Sequence, residues 1–238
     1  MSVTGVTLTG VDEKTDIDQL VTLSEENPYV EWGFLYSPKR QGAPGRYPSV
    51  SFLVQALDVL PPFVKIALHV CGNGVDDLLG GESVACSLAD QVITRSGRLQ
   101  LNFNHRKKPI DLHRLAALIA GHDRLPVITQ IHGGNSDVRD GLLDIFGFHP
   151  KNHEMLFDAS GGCGQVAAVL EQPVPGARCG YAGGIGPNNI VARVYAINAI
   201  VGELPTWIDM ESSLRSASDA DWFDLGKCKD ILVQYSDT

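Results

Sequence analysis

The sequence predicts an α/β protein, a single (β/α)8 barrel of the TIM type spanning residues 1–238. Three observations predict it. Short β-rich runs alternate with longer amphipathic stretches in eight successive pairs. Glycine, proline or asparagine punctuates the joins, with no long linker and no low-complexity segment. The length of 238 residues, with 44% hydrophobic and 20% charged, suits one barrel with a large core.

In chain order the strands fall at Val3–Thr9, Val30–Tyr36, Val64–Val70, Arg98–Phe103, Val127–His132, Met155–Ala159, Arg178–Gly183 and Thr206–Glu211. Helical periodicity follows most of them, at Ile17–Ser24, Val50–Val59, Leu112–Ala120, Val138–Phe146, Ile190–Val201 and Trp222–Leu232, with a short run at Val166–Leu170. Eight βα units joined this tightly favour a closed barrel over an open, doubly wound sheet.

Successive strand residues face opposite sides of a sheet, so alternation assigns the barrel interior. In the third strand Val64, Ile66, Leu68 and Val70 form the face for the helices, and Lys65, His69 and Cys71 point inward. By the same logic Arg98, Gln100 and Asn102 point inward from the fourth strand, and Ile128, Gln130 and His132 from the fifth. The eighth contributes Trp207, Asp209 and Glu211. Barrel interiors are normally filled with branched apolar side chains, so this polarity needs a reason. Glu31, Lys65 and Arg98 lie early in their strands, which predicts a structural ion network at the floor. Asn102, His132, Asp158 and Glu211 lie late, at the mouth where barrel enzymes do their chemistry.

The net charge of −9 argues against nucleic acid or an anionic membrane as a partner, because both select basic faces. No apolar run approaches the roughly 20 residues of a membrane span, and no secretory signal pattern opens the chain, so a cytoplasmic protein is expected. The five cysteines, Cys71, Cys86, Cys163, Cys179 and Cys228, are odd in number and scattered, and read as free thiols. No dinucleotide fingerprint or Walker loop is present, and no cofactor is expected. His69, His132, Asp158, Asp209 and Glu211 are the residues whose convergence would make a metal site, but they carry no local ligand motif and no metal is expected.

The seventh strand runs into Ala182-Gly183-Gly184-Ile185-Gly186-Pro187-Asn188-Asn189 and at once into a helix. Paired glycines let backbone N–H groups approach an anion, and a helix N-terminus adds donors and a favourable dipole. A glycine turn capped by Asn188 or Asn189 would look the same. Glu211-Ser212-Ser213 after the eighth strand adds donors beside it, in the loop pair where barrels commonly hold phosphate.

With these motifs the chain resembles phosphoribosylanthranilate isomerase over nearly its whole length. Ala182 through Asn189 matches that family's seventh-strand Ala-Gly-Gly-x-x-Pro-x-Asn pattern. Leu156-Phe157-Asp158, then Gly161-Gly162-Cys163-Gly164, is similar to its Leu-Leu-Asp and Gly-Gly-Thr-Gly. Gln100-Leu101-Asn102 resembles its Gln-Leu-His, and Arg46 corresponds to the arginine after its second strand. The family opens a phosphoribosylamine ring and rearranges it to an aminoketone, which takes one general acid and one general base. The resemblance implies Asp158 as the acid, kept protonated by burial and by neighbours such as Glu211. It implies a small phosphorylated substrate held by Gly162, Gly164, Gly183, Gly184, Asn188, Ser212 and Ser213, with Arg46, Gln100 and Asn102 as further substrate contacts.

The resemblance breaks at the base. The family's first strand ends Lys-Ile-Cys-Gly, whereas this chain reads Thr7-Leu8-Thr9-Gly10, and a hydroxyl cannot remove a carbon-bound proton unaided. Glu211 and Cys71 are the first replacements to consider, followed by Cys163, His132 and His69. Ser213 stands where the family has glycine and Arg215 where it often has glutamate. Arg106, Lys107 and Lys108 offer positive charge at the mouth or an ordinary solvated loop. Two other classes fit the same residues: a phosphosugar-binding or sensing protein without turnover, and a barrel lyase or aldolase, with or without metal assistance. A homodimer is compatible with all of these readings.

Overall fold

The computed structural model describes residues 1–43, 45–122, 125–158, 169–216 and 221–238. Eight parallel strands close into a barrel in sequence order, β1-β2-β3-β4-β5-β6-β7-β8, so the chain is a (β/α)8 barrel as predicted. The strands are β1 (Val3–Thr9), β2 (Val30–Tyr36), β3 (Lys65–Cys71), β4 (Arg98–Asn102), β5 (Val127–Ile131), β6 (His153–Phe157), β7 (Arg178–Tyr181) and β8 (Thr206–Met210). The helices are α1 (Ile17–Glu26), α2 (Val50–Val59), α3 (Asn73–Gly80), α4 (Ser83–Thr94), α5 (Leu112–Gly121), α6 (Ser136–Phe146), α7 (Ile190–Val201) and α8 (Leu225–Ser236).

Several helix starts follow from capping chemistry. Asp16, Ser49, Asp111 and Asp224 each accept a hydrogen bond from a backbone N–H of the first turn. Asp224 also explains why α8 begins at Leu225, when periodicity placed it from Trp222: the aspartate takes the N-cap and excludes the two aromatic residues before it. Strand β6 begins two residues earlier than expected, so Asp158 stands just beyond its end. The helical run expected at Val166–Leu170 falls largely outside the described residues, and α3 and α4 both follow β3, where periodicity had singled out no helix.

The outward strand faces and the inner helix faces form one continuous apolar core, and a second small cluster of Ile128, Leu156 and Trp207 fills the barrel's axis. Two glycines make room for it. A Cβ on Gly180 would lie 2.2 Å from the Trp207 ring, and one on Gly33 would lie 2.2 Å from Thr9 Oγ1. Small residues opposite large ones are how a closed barrel packs its interior.

The floor is ionic, with a membership that differs from the expected one. Arg98 donates to Glu31 at 2.6 and 2.7 Å and to Glu154 at 2.7 Å, and Arg178 completes the chain by reaching Glu154 at 3.0 Å. Both guanidiniums stack on the Trp207 ring, 4.5 and 5.0 Å from its centroid. Burial pushes Glu31 up, but the Arg98 charge outweighs it and holds this carboxyl below its ordinary value. Lys65 is outside the network: at the first residue of β3 it extends to solvent and donates to the Pro28 carbonyl at 2.6 Å.

Candidate functional site

The C-terminal ends of the strands open into a cavity of about 1170 Å³, ample for a small-molecule ligand. Its wall on one side is the pair of loops after β7 and β8. Gly183 and Gly184 have φ of +94° and +64°, the left-handed region that glycine enters without strain. Asn189 braces the turn from below, accepting from Gly186 N–H at 2.9 Å and donating to the Gly184 carbonyl at 2.8 Å. Ser213 Oγ ties the two loops by donating to the Ile185 carbonyl at 2.7 Å, and Gly186 leaves the space the Ser213 side chain occupies. The N–H groups of Gly183, Gly184, Ser212 and Ser213 have no hydrogen-bond partner among the described residues, and all four residues line the cavity. Free backbone donors of this kind are the groups with which a protein can receive an anion. Asn188 is exposed and outside the cavity, because Asn189 is the asparagine that shapes the turn.

The cavity's base is a polar layer. Thr9 Oγ1 donates to Asp209 Oδ1 at 2.8 Å. Gln100 Nε2 stands 3.1 Å from His69 Nδ1, 3.2 Å from Asn102 Oδ1 and 3.3 Å from Asp209 Oδ2. An amide nitrogen has two hydrogens, so three acceptors compete for them. Burial pushes the Asp209 carboxyl up to about 6, although the Thr9 and Gln100 hydrogen bonds oppose the shift. Burial holds the His69 imidazole down at about 4, which leaves it neutral. Asn102 Nδ2 lies 3.7 Å from Cys71 Sγ, and burial together with the Glu211 charge pushes this thiol up to about 12. Cys71 is therefore the reverse of an activated thiolate.

Above this layer Arg46 Nη1 reaches Glu211 Oε1 at 2.5 Å and Ser212 Oγ at 3.5 Å. Burial raises the Glu211 carboxyl, and Arg46 restrains the rise. Asp158, just past β6 and next to the β7 loop, is buried and accepts from Gln130 Nε2 at 2.7 Å. His132 lines the cavity but has no nitrogen to spare: Nδ1 accepts from Gly134 N–H at 2.9 Å, so Nε2 carries the proton, 3.0 Å from the Phe103 carbonyl.

Asp158, Glu211, Cys71, His132, Gly183, Gly184, Ser212, Ser213, Arg46, Gln100 and Asn102 thus share one cavity. Gly162, Cys163 and Gly164 lie outside the described residues. Of the basic run after β4 only Lys107 lines the cavity; Lys108 pairs with Asp76 on α3 at 2.7 Å. Among the described residues no group of three or more His, Cys, Asp or Glu side chains is placed to hold a metal ion, so His69, His132, Asp158, Asp209 and Glu211 do not form a metal set. Two features escaped sequence reasoning. Tyr47 and Arg40 line the mouth, with Arg40 5.4 Å over the tyrosine ring. Arg215 is buried and reaches Asp12 and Asp221 at 2.9 Å and the Gly10 carbonyl at 2.8 Å, which pins the loop after β8 onto the loop after β1.

Fold and site define a (β/α)8 barrel with unpartnered backbone N–H groups and a titratable polar layer at its mouth. Among solved structures the fold is similar to a phosphoribosyl anthranilate isomerase from Thermus thermophilus, at a TM-score of 0.62 and 17% identity, with 98% of each chain covered. A phosphoribosyl anthranilate isomerase from Thermotoga maritima is similar at a TM-score of 0.58 and 14% identity, covering 99% of this chain and 100% of that one. No sequence-family model and no curated protein sequence matches the chain. No described helix is long and apolar enough to cross a membrane.

Proposed function

We propose that this protein is an isomerase-type enzyme that acts on a small phosphorylated sugar derivative by general acid–base proton transfer. The observation that carries the reading is the coincidence, in one cavity, of four unpartnered backbone N–H groups with the carboxyls of Asp158, after β6, and Glu211, after β8. The cradle these N–H groups form suits a phosphate monoester, whose charge they and the start of α7 complement. Asp158 is the general acid, by its place after β6 and its resemblance to the isomerase motif. Glu211 is the better base: the Cys71 thiol is pushed up to about 12 and both His132 nitrogens are engaged. A net charge of −9 favours a small cytoplasmic metabolite over nucleic acid or membrane. Lys65 is not a Schiff-base lysine for this cavity, because it lies at the barrel's other end, bonded to the Pro28 carbonyl.

The experiment is turnover of a panel of N-substituted phosphoribosylamines and aldose phosphates by the wild type and by Asp158→Asn. The expected result is turnover of a phosphorylated member, lowered about 10²–10⁴-fold in the variant. Equal rates in the two proteins would remove Asp158 from the mechanism. Tight binding without turnover would favour the sensing alternative.

A further inference from the structure

We infer that Arg46 is a cation shared between two sites: it neutralises Glu211, and it passes to the phosphoryl group of a substrate seated on the β7 and β8 loops, leaving Glu211 as the proton acceptor. The inference rests on the phosphosugar reading above and adds to it a mechanism by which the phosphate switches on the base.

Geometry places the guanidinium between the two functions. Arg46 Nη1 is 2.5 Å from Glu211 Oε1 and 3.5 Å from Ser212 Oγ, and Ser212 is part of the cradle with its own N–H unpartnered. The two side chains of the ion pair are 29% and 27% exposed, so the pair is partly solvated and weakly held compared with a buried one. A phosphate monoester offers more charge than a carboxylate and an oxygen pair that matches the guanidinium fork. The exchange therefore runs toward phosphate.

What faces Glu211 decides the consequence. Besides Arg46 on the loop after β2, its electrostatic neighbours are Asp209 on the preceding strand β8, His69 and Cys71 on β3, and Tyr47 on the β2 loop. His69 is held neutral by burial, and Cys71 and Tyr47 are held protonated, each pushed up to about 12. Arg40 stands over the Tyr47 ring, and Asp221 faces Arg46. With His69 neutral, Arg46 is the one cation in this set that acts on Glu211. Losing an opposite charge at this range raises a carboxyl's affinity for its proton, which strengthens it as a general base.

In the chemical step the C2 proton of a ring-opened sugar imine goes to a Glu211 carboxylate oxygen. The C–H electron pair becomes the C1=C2 bond, and the electrons of the protonated C=N bond return to nitrogen. Phosphate that is remote from the reacting carbon thereby contributes to turnover and not only to binding.

The test is a pH titration of the Glu211 side chain by carboxyl carbon NMR, assigned with Glu211→Gln and repeated in inorganic phosphate and in sulfate, which stays dianionic throughout. The amide resonances of Gly183 and Gly184 report anion binding in the same samples. Expected is an upward shift of about one to three units for Glu211 when the glycine amides saturate. In Arg46→Gln the carboxyl should titrate high from the start and ignore either anion. If the glycine amides respond while Glu211 titrates unchanged, the shared-cation inference falls and the phosphate reading stands. If neither anion moves the amides, both fall.

Discussion

Thr9 and Asp209 meet across the seam where the last strand closes on the first, with Thr9 Oγ1 donating to Asp209 Oδ1 at 2.8 Å. The β1–β8 register sets Thr7 beside Asp209, so Thr9 stands one inward step higher and its hydroxyl reaches down to the carboxylate. Gly33 on β2 makes this possible, because any side chain there would occupy the volume of Thr9. Thr9 is thus a positioning group for a buried acid.

That acid sets a stability prediction. Asp209 is pushed up to about 6 from an ordinary 3.8, so its proton is bound more tightly in the folded chain than in the unfolded one. The favourable contribution is full below about 3.8 and is lost as pH rises through about 6. Asp209→Asn keeps a carbonyl for Thr9 and removes the buried charge. The variant should be more stable than the wild type at pH 7.5, by up to about 3 kcal/mol, and equal to it at pH 4. Urea denaturation at the two pH values measures the difference; equal midpoints at pH 7.5 would show that the carboxylate is not held in a charge-hostile environment.

A second pair of variants separates the candidate bases. Cys71→Ser should leave turnover within about threefold and Glu211→Gln should lower it by about 10²–10⁴, because a thiol held near 12 supplies almost no thiolate at neutral pH. Consistently, Cys71 should resist iodoacetamide at pH 7.5 when the protein is folded. Rapid alkylation of Cys71, or a large activity loss in Cys71→Ser with Glu211→Gln unaffected, would reverse the assignment.

The barrel was legible because two-residue alternation survives in almost every strand. Strands β1 and β2 and helices α2 and α7 fall where periodicity put them, and the inward assignments of His69, Gln100, Gln130 and Asp209 hold. Glu154 was missed because β6 was placed two residues late, which hid its pairing with Arg98 and Arg178. Lys65 was misjudged because alternation gives a side, and only position along the strand says whether a long side chain can turn outward. The contacts that make the site were beyond any local pattern. Arg46 and Glu211 are 165 residues apart, and Thr9 and Asp209 are 200 apart, so their meeting depends on barrel closure and register.

The floor network yields a third prediction. Arg98 is shared by Glu31 and Glu154, and all three are buried. Arg98→Met removes the charge that both carboxylates face and leaves Glu154 with Arg178 alone. Breaking a buried pair this way costs about 3–5 kcal/mol. Glu31 lies below its ordinary value, so its contribution is present above about 4.5 and fades as pH falls through its folded value. The deficit of the variant, measured by chemical denaturation, should therefore shrink in acid. A deficit independent of pH would trace the loss to packing against Trp207.

The cradle itself is tested at Gly183, where φ is +94°. Gly183→Ala forces an L side chain into the left-handed region and should cost about 1–3 kcal/mol of stability with the N–H donors still in place. Gly183→Asp adds a negative charge facing the phosphate position. A sugar phosphate at a hundredfold its Kd should stabilise the wild type by about 2.7 kcal/mol. In thermal-shift titrations the alanine variant should melt lower yet keep most of the ligand-induced rise, and the aspartate variant should lose it. Comparing the two isolates charge from strain: if both variants lose the rise equally, the backbone conformation of the turn is what binds, and if neither does, the anion sits elsewhere in the mouth.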